Sequence, residues 1–294
     1  MILLGLAIMV VTETATLAGL EPFASWNTPI AWTGFILFAD GVVYRARRNS
    51  WIRSAPREFA LLAAASIPLW IVFEGYNLVI DNWYYSGLPE SFWLREIGFA
   101  WSFATIWPAI FEGAELVAVV RAGRSGAGLA GPRAAGPGGR GPRSKPGTAR
   151  DAAGARVSVA APRAAAPAVA VGLAMLACPF FVPAGIARYL AAPVWLGFIV
   201  LLDPINRRLG AEVLTRDRVI NLAWSGFVCG ALWEFWNYWS HAKWHYTVPI
   251  MANVKIFEMP LPGYLGFPAF ALECFTMYVF VRHPLTKPGR TIAL

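Results

Sequence analysis

The chain has 294 residues, of which 57% are hydrophobic and only 14% are charged, whereas about a quarter of an average soluble domain is charged. The formal net charge of +8 does not indicate a nucleic-acid partner, because the basic residues stand between apolar segments rather than on a polar domain. The three cysteines lie singly within apolar segments, without the spacing of a disulfide framework or a zinc site. Composition therefore predicts a membrane protein that uses no cofactor.

Eight apolar runs predict membrane-spanning helices, of which the second and sixth are short and compatible with a tilted or partly interfacial position. They cover residues 2–20, 28–43, 59–80, 97–120, 165–190, 193–205, 219–240 and 263–281, and prolines interrupt the fifth. Because Lys and Arg are retained on the cytoplasmic side, an arrangement with both termini inside accounts for most of the 25 basic residues. The pattern predicts an all-α, multi-pass protein of a bacterial-type inner (cytoplasmic) membrane.

The composition changes abruptly between residues 121 and 164. This stretch consists mainly of Gly, Pro, Ala and Arg, with almost no large apolar side chain. Such a composition cannot bury a core, so it predicts a disordered, basic, cytoplasmic linker. The linker separates two four-helix membrane regions, 1–120 and 165–294. The sequence leaves the oligomeric state open.

The second region repeats residues of the first at a displacement of 160 to 163 positions. The matched pairs are Trp32 and Trp195, Asp40 and Asp203, Glu74 and Glu234, Asn77 and Asn237, Pro108 and Pro268, and Glu112 and Glu273. Because four helices are an even number, two such repeats share one orientation and are expected to pack about an axis along the membrane normal. This arrangement places the third and seventh helices on opposite sides of a common centre.

The most informative stretch is 233–249, which reads WEFWNYWSHAKWHYTVP. Its spacing places Glu234, Asn237, His241 and His245 on one face of a predicted helix. Ionisable groups within a membrane are costly, and the default hypothesis is that they are functional. The alternative is that the Glu and Asn side chains only hold helices together through hydrogen bonds.

Glu234 and Glu74 are therefore the leading candidates for a catalytic acid and base, and each is followed by an asparagine, Asn237 or Asn77. Two carboxyl groups that face each other in a low-dielectric centre cannot both ionise easily, so one should remain a proton donor. That property suits general acid catalysis.

Glu273 and Glu112 are secondary candidates for the same chemistry. Each follows a proline that is expected to kink or start its helix beside the common centre. They are included because each region carries one of them at the matched position.

His241 and His245 have the i, i+4 spacing that can bind a metal on a helix face. The corresponding residues of the first region are Asp81 and Tyr85, so the histidines are not duplicated. We therefore predict no metal site, and these two histidines are the candidates if one exists.

Aromatic residues make up 14% of the chain and cluster around the acidic motifs. Aromatic faces stabilise cations, and a carboxylic acid can start a carbocation reaction by protonating an alkene or an epoxide. The aromatic segment after each motif is expected to fold back over the outer face, as an interfacial anchor or as a lid. The candidate substrate-binding residues are Trp233, Trp236, Trp244, Tyr246, Trp83, Tyr84 and Trp107.

A polar residue after Trp236, a W-x-Y element at Trp244 and Tyr246, a turn at Pro262 and a helix that carries Glu273 together resemble the integral-membrane lycopene cyclases of the heterodimeric or fused type. Those enzymes are small, helical and internally duplicated, and they use acidic residues without a metal. The resemblance implies cyclisation of a hydrophobic, lipid-like isoprenoid. The chain is also similar to bacterial multi-pass membrane proteins that carry WEFWNYW and FEMPLPGYLGF, which imply no particular activity.

Two classes of function are therefore open. One is an intramembrane enzyme that acts on an isoprenoid-type lipid through general acid and base catalysis. The other is a transporter or small-molecule-binding protein built around duplicated, buried Glu and Asn pairs. A scaffold without chemistry, in contact only with membrane lipids, is the third reading of the same pairs.

Overall fold

The structure is a computed structural model that describes residues 1–124 and 162–286. Most of this part of the chain is helical, as the sequence predicts. The helices are α1 (Ile2–Leu17), α2 (Asn27–Arg47), α3 (Trp51–Ser54), α4 (Pro56–Ile80), α5 (Phe92–Arg124), α6 (Pro162–Ala177), α7 (Ala184–Ala187), α8 (Ala191–Arg208), α9 (Arg216–Trp239) and α10 (Gly266–Arg282). Most of the predicted linker, residues 125–161, lies outside the described residues.

All eight apolar runs form helices, but length and hydropathy support fewer membrane crossings. Within the described ranges, three helical segments are long and apolar enough to cross a membrane: Pro56–Ile80, Phe92–Arg124 and Leu261–Leu285. Two shorter apolar helices cover Ile2–Leu17 and Ala165–Phe181. The fifth run is interrupted as expected, because a 3₁₀ turn at Cys178–Phe181 and the separate α7 follow α6.

Local chemistry sets several helix ends. Pro56 starts α4, where its missing N–H costs no hydrogen bond. The Thr215 side chain accepts a hydrogen bond from the backbone N–H of Arg218 at 3.3 Å and so caps the start of α9. The predicted boundary at residue 120 is too early, because α5 continues to Arg124.

The two halves of the chain pack their helices in the same pattern. In the first half α2 packs against α1 and α5, and α4 packs against α5; in the second, α8 packs against α6 and α10, and α9 packs against α10. Asp40 accepts a hydrogen bond from the N–H of Ile52 at 2.8 Å, and Asp203 accepts one from Leu214 at 2.9 Å. Each aspartate thus fastens the segment that follows its helix.

Direct contacts join the halves in the core. The Trp107 indole N–H donates to the carbonyl oxygen of Cys274 at 2.8 Å, and Ser225 Oγ donates to the carbonyl of Ile110 at 2.6 Å. Gly113 permits close approach here, since a Cβ at this position would lie 2.3 Å from Ser225 Oγ. Small residues at such crossings are typical of helices packed within membranes.

Two small antiparallel sheets complete the fold and were not predicted. Strand β1 (Trp83–Ser86) pairs with β2 (Lys243–Tyr246), so that Trp83 lies opposite Tyr246. Strand β3 (Lys255–Ile256) pairs with β4 (Met259–Pro260). The two aromatic segments that follow the acidic motifs therefore pair with each other, and the β1–β2 sheet connects the two halves.

The prediction that one helix face carries Glu234, Asn237, His241 and His245 is wrong for the two histidines. Helix α9 ends at Trp239, and Ser240 has an extended backbone with ψ of 145°. His241 lies in the following turn and His245 lies on β2. Glu234 and Asn237 remain on one helix face, whereas the histidines belong to a different structural element.

Candidate functional site

Two asparagines hold the strands of the β1–β2 sheet. The Asn237 side-chain N–H donates to the carbonyl of Trp244 at 2.9 Å, and its oxygen accepts from the N–H of Trp244 at 2.9 Å. Asn77 does the same for Trp83, at 2.8 Å and 3.1 Å. Because both ends of each amide are occupied by backbone groups, the geometry assigns these residues to positioning the strands.

Each of the two glutamates accepts a hydrogen bond from a tyrosine of its own half. Tyr246 donates to Glu234 Oε1 at 2.7 Å, and Tyr85 donates to Glu74 Oε1 at 2.5 Å. The spacing between glutamate and tyrosine differs by one residue between the halves, so Tyr85 corresponds in contacts to Tyr246 rather than to His245. The two carboxyl groups thus pair with tyrosines and not with each other.

The two Glu–Tyr pairs differ in which of their groups accepts a hydrogen bond from a tryptophan indole. The Trp70 indole N–H donates directly to Glu74 Oε1 at 2.8 Å. In the second half, the Trp244 indole N–H instead donates to the hydroxyl of Tyr246 at 2.9 Å. Glu234 is fully buried, and its Oε2 has no hydrogen-bond partner among the described residues.

Both tyrosine hydroxyls remain protonated. Burial, followed by the charge of Glu74, raises the pKa of Tyr85 well above its usual value. Burial and the neighbouring Glu234 do the same to the pKa of Tyr246. Neither tyrosine is therefore a source of phenolate near neutral pH, and both act as hydrogen-bond donors to the carboxyl groups.

A cavity of about 510 Å³ lies beneath the β1–β2 sheet, between the two halves. This volume is in the range of small-molecule sites. Its wall is largely apolar and rich in aromatic side chains, which include Trp32, Trp70, Trp83, Trp195, Trp233, Trp244, Tyr85, Tyr246, Phe103 and Phe270. Two cations, Arg95 and Lys243, also belong to the wall, and each is paired with a carboxylate at 3.4 Å.

The cavity contains four of the seven predicted substrate-binding residues. Trp233, Trp244, Tyr246 and Trp83 line it.

The other three predicted residues lie elsewhere. Trp236 packs edge-on against Trp32, with ring centroids 4.8 Å apart, and Trp107 is fully buried against α10. Tyr84 is 52% exposed because alternation along β1 turns it away from the cavity.

The sequence-based prediction missed several wall residues. Trp195 and Trp32 form one of the matched pairs, and this duplication was a usable signal. Trp70 precedes Glu74 by one helical turn, but it has no aromatic counterpart in the second half, where Gly230 stands. Phe270 contacts Trp70, Trp195 and Trp233 edge-on, and only the three-dimensional packing reveals it.

None of the four candidate acids forms part of the cavity wall itself. Glu74 and Glu234 reach it through the hydroxyls of Tyr85 and Tyr246. Glu112 and Glu273 are fully buried elsewhere in the core, where Glu112 lies beside the carboxyl group of Asp40 and Glu273 beside the backbone N–H of Phe198. The structure thus separates the two pairs of acids that the sequence analysis placed at one centre.

The two histidines lie on the outer side of the β1–β2 sheet. His241 is exposed, with Nδ1 3.9 Å from Glu21, whereas His245 is half-buried and stacks on Tyr84. Across residues 1–124 and 162–286, no group of three or more His, Cys, Asp or Glu side chains could hold a metal ion. The metal alternative therefore has no ligand set in this part of the chain.

The fold and site define a mostly helical protein with an aromatic cavity between two similar halves. No protein-family model, curated protein or solved structure matches the chain.

Proposed function

We propose that the protein is an intramembrane enzyme that binds a hydrophobic, isoprenoid-type lipid and acts on it by acid–base catalysis. The observation that carries the proposal is the cavity, whose wall is rich in indole and phenyl rings and includes Tyr85 and Tyr246, each hydrogen-bonded to a carboxyl group. Such a wall binds a substrate by apolar burial and can stabilise a cationic intermediate through its ring faces.

The rim of the cavity supports entry from an apolar phase. Five of its wall residues are exposed and apolar or aromatic: Leu94, Tyr189, Leu196, Ile250 and Leu265. A contiguous exposed apolar surface is costly in water and marks a binding or membrane surface. A lipid can therefore pass from the bilayer into the cavity without crossing water.

The proposed reaction is a cyclisation or a related isomerisation, because it balances without a cofactor. For the reaction the hydrogen bond between Glu234 and Tyr246 reverses: the Glu234 carboxyl group donates its proton to the Tyr246 hydroxyl oxygen, and Tyr246 releases its own proton to an alkene or epoxide of the substrate. The resulting cation is stabilised by the indole faces of the wall. Tyr85 then takes a proton from the cation while passing its own to Glu74, which forms the product. Proton exchange with water returns Glu74 and Glu234 to their starting states.

The proposal includes an internally duplicated, multi-pass architecture. Its support is the shared set of contacts, in which each half presents a Glu–Tyr pair, an asparagine that holds a strand, and an aspartate that holds the segment after its helix. We assign all eight apolar helices to the membrane, with both termini cytoplasmic. The distribution of basic residues supports this orientation.

The test compares cells that express the wild type and Glu234→Gln, by lipid extraction and mass spectrometry. Glutamine keeps the shape and a hydrogen bond from Tyr246 but cannot donate a carboxyl proton. We expect the product to fall by about 10²- to 10⁴-fold. The matched control is Glu96→Gln, which changes an exposed glutamate paired with Arg95 and should leave the lipid profile unchanged.

A binding or transport function is the second candidate. The observation that favours it is that, among the residues that the structure describes, no carboxyl group forms part of the cavity wall. In that case the wild type and Glu234→Gln carry the same co-purified lipid, and neither alters its chemical structure. An unchanged lipid and pigment profile in both strains would overturn the enzymatic proposal.

A further inference from the structure

A serine, a histidine and a glutamate form a connected chain on the outer face of the β1–β2 sheet. Ser86 Oγ lies 2.9 Å from His245 Nε2, and His245 Nδ1 lies 3.3 Å from Glu258 Oε2. One imidazole nitrogen therefore faces the hydroxyl and the other faces the carboxylate. This order of contacts is the one that activates a serine nucleophile, with histidine as the base and the carboxylate as the group that orients it.

Alternation along the strands separates this cluster from the aromatic cavity. In the observed register Tyr84 lies opposite His245 and Ser86 lies opposite Lys243, so these four side chains share one face. Trp83, Tyr85, Trp244 and Tyr246 occupy the other face and line the cavity, to which the long side chain of Lys243 also extends. The sheet thus presents different chemistry to its two sides.

Neighbouring groups hold each member of the cluster in place. The ring of His245 stacks on Tyr84 with centroids 5.1 Å apart. Lys243 Nζ lies 3.4 Å from Glu258 Oε1, which leaves the other carboxylate oxygen for the histidine.

Gly87 fixes the chain directly after the serine. It has φ of +65°, and an added Cβ would lie 2.1 Å from the carbonyl oxygen of His241. A larger residue would therefore move Ser86 away from the histidine.

We propose that Ser86, His245 and Glu258 form a nucleophilic site that hydrolyses carboxylic esters at the surface of the membrane. Tyr84 on the same face is 52% exposed, and Ser86 itself is partly exposed, so a substrate can reach the site from outside the cavity. This activity is independent of the reaction proposed for the cavity.

In the first step Ser86 Oγ attacks the ester carbonyl carbon while its proton passes to His245 Nε2. The C–O bond to the alcohol then breaks, and His245 returns the proton to the leaving oxygen, so that the acyl group remains on Ser86. Water, deprotonated by His245, attacks this acyl carbon, and the bond to Oγ breaks as Oγ regains a proton.

The experiment treats the full-length protein in detergent with a fluorophosphonate, which phosphonylates activated serines. We expect a single adduct on the peptide that contains Ser86, found by mass spectrometry. His245→Gln should lower the rate of labelling by roughly 10³-fold, since the serine loses its base. Hydrolysis of p-nitrophenyl butyrate should fall in parallel in Ser86→Ala and His245→Gln.

Matched variants separate chemistry from folding. Ser91→Ala, at an exposed serine in the following segment, should leave labelling and ester hydrolysis unchanged. Thermal unfolding of each variant verifies that it is folded. Absence of an adduct on Ser86, or equal labelling of folded His245→Gln, would overturn the proposal.

Discussion

The Glu74 and Glu234 motifs differ most where their carboxyl groups are hydrogen-bonded. Both have an asparagine that holds a strand and a tyrosine that donates to the carboxyl group. Glu74 also accepts from Trp70 and is half-buried, whereas Glu234 is fully buried with one oxygen lacking a partner. The two duplicated motifs therefore hold their carboxyl groups in different surroundings.

The largest expected effect on stability comes from the asparagines. Asn237→Ala should reduce the free energy of unfolding by about 2–4 kcal/mol, because it leaves the buried N–H and carbonyl of Trp244 without partners. Asn77→Ala should cost about 1–2 kcal/mol, since Asn77 is less buried and water can replace part of its amide. Thermal unfolding in detergent measures both. The exposed Asn253→Ala is the control, and equal effects of all three substitutions would contradict the positioning role.

Substitution of the tyrosines should also reduce stability more in the second half than in the first, but by less than substitution of the asparagines. Tyr246→Phe removes the partner of both Glu234 and the Trp244 indole N–H, so we expect a loss of about 2 kcal/mol. Tyr85→Phe leaves Glu74 bonded to Trp70, and about 1 kcal/mol is expected. The same unfolding measurement compares the two. A larger loss for Tyr85→Phe would reverse the asymmetry drawn between the motifs.

The ion pair beside the first motif should contribute least. Arg188 and Asp81 are 3.7 Å apart, with side chains 39% and 69% exposed, so solvent screens their attraction. Asp81→Asn should change the free energy of unfolding by less than about 1 kcal/mol. Repeating the unfolding at 1 M NaCl should remove the remaining difference from the wild type. A persistent loss at high salt would show that Asp81 acts through something other than this pair.

The helices were predictable because each of them coincides with a run of apolar residues that can be recognised in the sequence. Every predicted helix is present, and the ends differ by a few residues where caps and prolines decide them. Pro179 and Pro183 even located the break in the fifth run, since a proline removes a backbone donor. The number of membrane crossings is harder to predict from the sequence, because helices such as α9, which begins with Arg216, carry polar residues along their length.

The site was only partly predictable because its strands depend on distant residues. A four-residue strand such as β1 has little stability of its own. It exists here because Asn77 binds its first residue and because β2, about 160 positions later, pairs with it. The spacing alone therefore predicted that His241 and His245 share a helix face with Glu234, although the helix ends before either histidine. The same missing strand concealed the pairing of Tyr85 with Glu74 and the cluster of Ser86 with His245.

Hydrogen bonds and one pair of strands hold the two halves of the chain together. Trp107 with Cys274, Ser225 with Ile110, Asn27 with Trp236, and β1 with β2 all join residues before 124 to residues after 162. None of them needs the peptide chain between the halves to be continuous. We therefore expect the two halves, expressed as separate chains, to assemble through these contacts and to form the same cavity.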